Sequence, residues 1–323
     1  SGKMALIHPL TFMYIKSFED VREFIISQLN ISVLVEYGNS NLFGLVLVDP
    51  AFYIFEKEKT AEKALFISLD QYTRTPQEKY KKDYCLDALN DYVQNRQNKH
   101  NYLVDYSKFK IIDGCPFIYW ISDDFRDKFK EKVIGQINKV ATGLMTGNND
   151  KHLRFHWEVN CNEISSYYPE DKRKWVPYQK GGKFNRWHGN NWLIVNFEND
   201  GSELATTDNR RFYFKQGITY SASGQKGVSF RYIEPKYSFD KGGACILNTS
   251  NNTTLEYLLA YLNSNIARYI ADCLNPTVNI QKGDIERIPF MKPSKAIEGL
   301  TSALALKNIE IKKYLCSYHI IEI

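Results

Sequence analysis

No apolar run long enough to span a bilayer occurs in the chain, so no membrane partner is expected. The six cysteines (Cys85, Cys115, Cys161, Cys245, Cys273 and Cys316) include no Cys-x-x-Cys pair. That spacing excludes the usual structural zinc knuckle and a disulfide framework, and points to reduced thiols in the cytoplasm. Charge is not lopsided either. A net +5 permits a polyanionic partner without demanding one, and 43% hydrophobic residues argue against disorder. The glycine-rich stretch 143–155 is not a phosphate-binding P-loop, because Lys151 has neither a glycine before it nor Ser or Thr after it. A structural turn or a backbone contact is the expectation there. His152 and His156 lie four apart, yet Leu153 replaces the glutamate of a zinc-protease helix and no third ligand is in view, so no metal is expected. Cys245 has no nearby histidine to activate it and reads as a small buried residue.

What is present divides in two. Residues 4–7 form a short buried-strand pattern halted by His8-Pro9. The chain opens almost directly on this strand, as if in the middle of a fold. Ser17 and Asp20 resemble a helix start, with Phe18, Val21, Phe24, Ile25 and Leu29 at helical spacing, and residues 31–35 are again β-branched. Strand, helix and strand in so short a span predict a βαβ unit with a parallel strand pair, hence an α/β sheet. Further strands are expected at residues 51–55 and 64–69, and a solvated helical connector at 77–98. Three or four strands make only part of a doubly wound sheet, and its glycine-rich first turn is missing. Asp123-Asp124 reads as a helix start.

From Ile134 onward, short strands separated by Gly, Asn and Asp are expected through Leu247, among them residues 192–197, 211–214 and 228–233. One long helix follows. Thr253 and Glu256 suggest a capping box, and Leu255, Leu258, Leu259, Leu262, Ile266 and Ile270 line one face up to Asn275-Pro276. The stretch after Ala296 is helix-like without a clean face. The expected domains are therefore residues 1–133 and residues 134–323.

Residues 172–189 interleave cations, rings and glycines: Lys174, Trp175, Tyr178, Lys180, Gly181, Gly182, Lys183, Phe184, Arg186 and Trp187. Cations neutralise phosphates, glycines allow close backbone approach, and rings pack or stack. The same pattern suits a solvated hairpin with its rings in the core. Lys151, Arg154 and Lys226 supply further positive charge, and Asn190, Asn191, Arg210, Arg211 and Arg231 have the donors that read base edges, although any one of them also suits an ordinary surface.

Several blocks, taken in order, resemble one family. They are residues 143–150 with Arg154-Phe155 and Trp157-Glu158-Val159, residues 175–178 with 180–184 and 187–191, residues 195–201, residues 214–220, and finally Leu262-Asn263-Ser264 with residues 274–279 and 283–285. This series is similar to the target-recognition region of PglX-type adenine-specific DNA methyltransferases of BREX phage defence, which are related to type II restriction-modification methylases. The resemblance implies a partial Rossmann-like methyltransferase sheet in residues 1–133 and a mixed α+β target-recognition domain in residues 134–323. It places Lys3 to Pro9 at the strand after the catalytic Asn-Pro-Pro-Tyr loop. Neither that loop nor the glycine-rich S-adenosylmethionine motif occurs here. No catalytic residue is therefore assigned, and S-adenosylmethionine is expected with the full-length protein and not with this chain alone. Phe43 falls where related enzymes carry an aromatic against the flipped adenine, and a place in the sheet rim suits it equally. The implied partners are double-stranded DNA and other phage-defence or restriction subunits. A non-catalytic DNA-specificity module, or an unrelated β-rich interaction domain, would share many of these features.

Overall fold

A computed structural model describes residues 2–38, 48–58, 61–73, 75–224, 226–249, 253–277 and 279–317. The chain divides into two units, Ser1–Lys130 and Glu131–Ile323, and its architecture is mixed α/β. Among the described residues no helix is long and apolar enough to cross a membrane.

The first unit is built on a five-stranded sheet: β1 (Lys3–Pro9), β2 (Asn30–Glu36), β3 (Pro50–Glu56), β4 (Lys63–Ser68) and β5 (Asn101–Asp105), in the order β1-β3-β2-β4-β5. Helices α1 (Glu19–Gln28) and α2 (Lys81–Val93) accompany it. The expected parallel pair is not formed. β1 and β2 point the same way, but β3 lies between them and pairs antiparallel with both, while β2 runs parallel to β4. The register explains why: β3 matches seven residues of β1 and satisfies the facing ladder of β2 as well, so the returning strand occupies the slot that a crossover would leave. β1 becomes an edge, and Met4, Leu6 and Ile7 are exposed, not buried as their apolar run suggested.

Helix α1 is rotated from its expected face. Val21 and Phe24 are exposed, while Arg22, Ile25 and Ile26 are buried. The cause is Arg22, whose guanidinium donates to the carbonyls of Phe12 (2.7 Å), Ile15 (2.8 Å) and Gly114 (2.8 Å). These carbonyls lie outside the ladders of the sheet, and a buried cation that satisfies three of them outweighs burial of the Val21 and Phe24 side chains. Ser17 does not cap the helix; a short turn at Lys16–Phe18 leads into Glu19 instead. The core is strongly aromatic, with Phe66 stacked on Tyr119 (centroids 4.9 Å apart) and Phe109 on Phe117 (5.2 Å). At the end of β2 the buried Glu36 carboxylate accepts from Tyr14 Oη (2.8 Å) and Tyr119 Oη. Burial pushes its carboxyl up to about 7, against the opposing effect of the two hydroxyls. Asp123-Asp124 opens a short helix, Asp123–Asp127, capped by Ser122 as its position implied.

The second unit holds two four-stranded sheets. One has the order β11-β10-β13-β6, made of β6 (Lys139–Ala141), β10 (Gly217–Tyr220), β11 (Phe230–Ile233) and β13 (Cys245–Leu247). The other has the order β12-β8-β9-β7, made of β7 (Leu153–Phe155), β8 (Trp175–Gln179), β9 (Leu193–Asn196) and β12 (Ser238–Phe239). Val176, Tyr178, Val195, Phe197, Phe239 and Cys245 share one core. Cys245 is buried as expected, and burial pushes its thiol up to about 12. Residues 211–214 are not a strand: a turn at Arg210–Phe212 lies between Asn209 and Phe214, both left-handed, and Phe214 stacks on Tyr168. His152 closes the short helix Asn149–His152, and β7 intervenes before His156, so the two do not share a helix face. Among the described residues no cluster of three potential ligands could hold a metal.

The expected long helix is broken in two, α3 (Leu255–Leu262) and α4 (Asn265–Leu274). Its cap is Thr254, which accepts from Tyr257 N, while Thr253 donates to Glu298. The break has a tertiary cause. Asn263 accepts from Phe230 N (3.1 Å) and donates to Phe230 O (3.0 Å), so its carboxamide serves β11, and Ser264 then caps α4. Ile266 is left exposed by the turn in direction. A final helix, α5 (Lys295–Cys316), packs on α3.

Candidate nucleic-acid interface

Strands β8 and β9 pair antiparallel, and the segment between them carries most of the cation-rich motif. Trp175 and Tyr178 on β8 are buried, so those rings belong to the core; Phe184 stays at the surface. Just past β8 the backbone turns through Gly181 (φ 90°) and Gly182 (φ 105°), a region that L side chains rarely enter. Space is tight as well: a Cβ on Gly181 would lie 3.3 Å from Gly242 O, and one on Gly182 would lie 3.1 Å from Asn190 Nδ2, so either neighbour would have to shift. Asn190 is buried and fastens the turn, with Nδ2 donating to Gly181 O and Lys183 O, each at 2.9 Å. It is therefore a clasp within the loop, and the base-reading role suggested for it is corrected.

This turn, the loop after β10 and the segment around Gly242 enclose an open cavity of about 730 Å³. Lys180, Lys183 and Lys226 line it together with Phe184, Ser221, Ser223 and the backbones of Gly182, Gly224 and Gly242. Lys180 Nζ also donates to Asn149 Oδ1 at 2.5 Å. Among the described residues no carboxylate forms an ion pair with any of these three lysines. Ala222 N donates to Gly242 O (2.9 Å) and Thr219 Oγ1 to Gly243 O (3.0 Å), so the walls are tied to one another.

Other cations suggested by the sequence are committed elsewhere. Lys151 pairs with Glu203 (3.0 Å), Lys174 with Glu198 (3.6 Å) and Arg210 with Asp200 (2.6 Å). Tyr168 and then Arg210 hold the Asp200 carboxyl below its usual range. Arg154 donates to the carbonyls of Asp150 and Leu153, both at 2.6 Å. Arg186 lies over the Phe184 ring at 5.4 Å without lining the cavity, and Arg211 lies over Phe212 at 4.8 Å. Trp187 is half-buried and takes part in the ladder beside β11, donating its N–H to Phe230 O and accepting from Tyr232 N. Asn191 donates to His188 Nε2 (2.9 Å) and accepts from Gln179. Burial, reinforced by Lys313, lowers the His188 imidazole to about 4, so the ring is neutral and can accept that bond. Arg231 is fully enclosed on β11 and reaches Ser221 instead of the surface, which corrects its assignment as a base reader. Phe43 lies outside the described residues.

Two features escaped the sequence. Gly242 joins the cavity only because β12 pairs with β8 and brings its following turn alongside Gly181. Phe155 and Trp157 form an exposed stacked pair, with centroids 4.6 Å apart and planes 4° from parallel. Phe155 ends the edge strand β7 and Trp157 lies in the turn that follows, at His156–Glu158, and two rings two residues apart read equally well as core.

No protein-family model matches the chain. It is 29% identical to the adenine-specific methyltransferase BrxX of Escherichia coli O9:H4 (strain HS), over 97% of this chain and 25% of that protein. It is 28% identical to the adenine-specific methyltransferase PglX of Lacticaseibacillus casei (strain Zhang), over 96% of this chain and 27% of that protein. The chain thus spans about a quarter of the length of these curated relatives. Among solved structures, it resembles a nuclease-deletion mutant of the Type ISP restriction-modification enzyme LlaGI in complex with a DNA substrate mimic, with a TM-score of 0.58, 11% identity and coverage of 96% of this chain and 30% of that one. It also resembles the Type IIL restriction-modification enzyme MmeI in complex with DNA, with a TM-score of 0.56, 8% identity and coverage of 97% and 42%. At those identities the likeness is one of fold. In sequence, the chain is a homologue of about one quarter of the BrxX and PglX adenine-specific methyltransferases, the family that its ordered blocks resemble.

Proposed function

We propose that this chain is the DNA-recognising portion of a site-specific DNA methyltransferase that modifies adenine N6 with S-adenosylmethionine. In this reading residues 134–323 hold and read the duplex, and residues 1–133 complete the catalytic sheet. The observation that carries it is the gathering of Lys180, Lys183 and Lys226, without carboxylate partners, around a cavity walled by glycine backbone. Such a surface takes phosphates at close range. The relatives named as adenine-specific methyltransferases and the DNA-bound fold neighbours support the same reading.

The exposed edge strand β1, with Met4, Leu6 and Ile7 uncovered, supports a sheet that continues into further chain. A cavity of about 740 Å³ among the described residues of the first unit does not fit the cofactor: apolar and aromatic side chains line it together with Lys82, and no carboxylate is among its lining residues to take ribose hydroxyls. No step of methyl transfer is therefore assigned to this chain, and alone it is expected to be inactive. Target extrusion, which the N6 position requires, would be completed by catalytic residues outside it.

The test is methylation sequencing of DNA from cells that carry the complete gene, either unaltered or with Lys180, Lys183 and Lys226 all changed to alanine. Loss of a sequence-specific N6-methyladenine signal in the triple variant, at normal protein level, is expected. An undiminished signal refutes the proposal.

A further inference from the structure

The lysine-lined cavity contains a hydroxyl with restricted hydrogen-bonding options. Ser221 lines the cavity and is almost buried. Both terminal nitrogens of Arg231 donate to its Oγ, each at 3.3 Å. The pair is built into the sheet: Arg231 stands opposite Thr219 in the β10–β11 ladder, and Ser221 follows β10 directly. A serine oxygen has one proton and two lone pairs. With both lone pairs facing guanidinium donors, Ser221 is left able only to donate, and the adjacent cation polarises its O–H bond. The tie also fixes where the hydroxyl stands, and Gly181 passes close beside it, so that a Cβ there would lie 3.5 Å from Ser221 Oγ.

A donor-only hydroxyl among three lysines selects a ligand that only accepts. A phosphodiester meets that condition, because its unbridged oxygens carry charge and no proton. Gly182, Gly224 and Gly242 present bare backbone, so a bulky sugar-phosphate chain can come close. Exposed Phe184 stands at the same opening, where a sugar or base can lie against it.

We propose that Ser221 donates to one backbone phosphodiester of a nucleic acid held by Lys180, Lys183 and Lys226, with Arg231 as the buried positioning residue behind it. This rests on the DNA-binding reading above and adds a specific contact to it. Serine displaces no counterion, so its loss should weaken binding without changing the salt dependence, whereas loss of a lysine changes both.

The experiment measures affinity of the chain for a non-specific DNA duplex across a salt series, with urea midpoints as a check on folding. Ser221→Ala is expected to weaken binding about tenfold at every salt concentration, leaving the slope unchanged. Ser221→Thr should restore it. Arg231→Met should cost as much as Ser221→Ala, the double variant should lose no more than either, and Arg231→Lys should stay within about twofold of the unaltered chain. If Ser221→Ala or Arg231→Met unfolds, Ser221→Asp decides: it gives Arg231 a carboxylate partner yet should weaken duplex binding more than about a hundredfold. Serine variants that bind like the unaltered chain, while lysine variants still flatten the slope, overturn this inference and leave the DNA-binding reading intact. No salt-dependent binding by the unaltered chain overturns that reading itself. A Ser221 effect on thermal stabilisation by inorganic phosphate, without one on duplex affinity, would assign the cavity to free phosphate and also overturn the proposal.

Discussion

Lys151, Lys174 and Arg210 have carboxylates beside them, while Lys180, Lys183 and Lys226, in the same unit, gather around an opening with none among the described residues. All six look alike in a sequence. A paired surface cation adds little to stability, at most about 1 kcal/mol, and must give up its partner before it can neutralise a phosphate. An unpaired cluster meets its ligand without that cost, but repels itself until the ligand arrives. Positive residues in a motif thus matter for binding according to the company they keep, more than to their number.

Four measurements would break or sharpen this contrast. Changing Lys180, Lys183 and Lys226 together to alanine should have the largest effect. The slope of log affinity against log salt should fall by about 2.7, at roughly 0.9 per phosphate contact, with affinity down by two or more decades at low salt. Asn190→Ala should come next, because it strips two backbone carbonyls of the loop, those of Gly181 and Lys183, of a donor that is itself buried. A stability loss of about 1–3 kcal/mol in urea denaturation is expected, with weaker duplex binding at an unaltered salt slope. Alanine at Lys151, Lys174 and Arg210 together should lower the slope by less than about 1, and a fall as steep as that of the cavity triple would erase the distinction drawn here.

The fourth measurement uses the first unit as a control with no bearing on the cavity. Glu36 has its folded carboxyl raised to about 7, so its contribution to stability is fully present below the unfolded value, near 4.5. That contribution is lost as pH rises through about 7, because the buried group must then ionise. The difference in unfolding free energy between the unaltered chain and Glu36→Gln should therefore drift against the former between those two pH values, by on the order of 1–3 kcal/mol. DNA affinity should show no matching drift. A flat difference would mean that Glu36 is already ionised when folded, its charge carried by Tyr14 and Tyr119.

Much of the architecture was legible in advance. The strands at β2, β3 and β4, the helix after residue 77, the β-rich character beyond Ile134 and the family resemblance all follow from local pattern and ordered blocks. Within the candidate site, the motif at residues 172–189 pointed to Lys180 and Lys183, and the loop at 221–226 to Lys226. The same reading chose Arg231 and Asn190, which the fold buries, because donors that suit a base edge suit a backbone carbonyl or a serine equally well. Arg22 repeats the lesson in the first unit. Counted as polar, it sends the helix face the wrong way, although three carbonyls await it inside.

By itself the sequence determined which segments could be strands or helices, and where positive charge, rings and glycines were concentrated, since those depend on neighbours along the chain. Only the tertiary structure decided that β3 would part β1 from β2, that Asn263 would divide a helix to serve β11, and that Gly242 would close against Gly181. Each of those outcomes turns on hydrogen bonds or steric contacts between residues far apart in the chain, which no local spacing encodes.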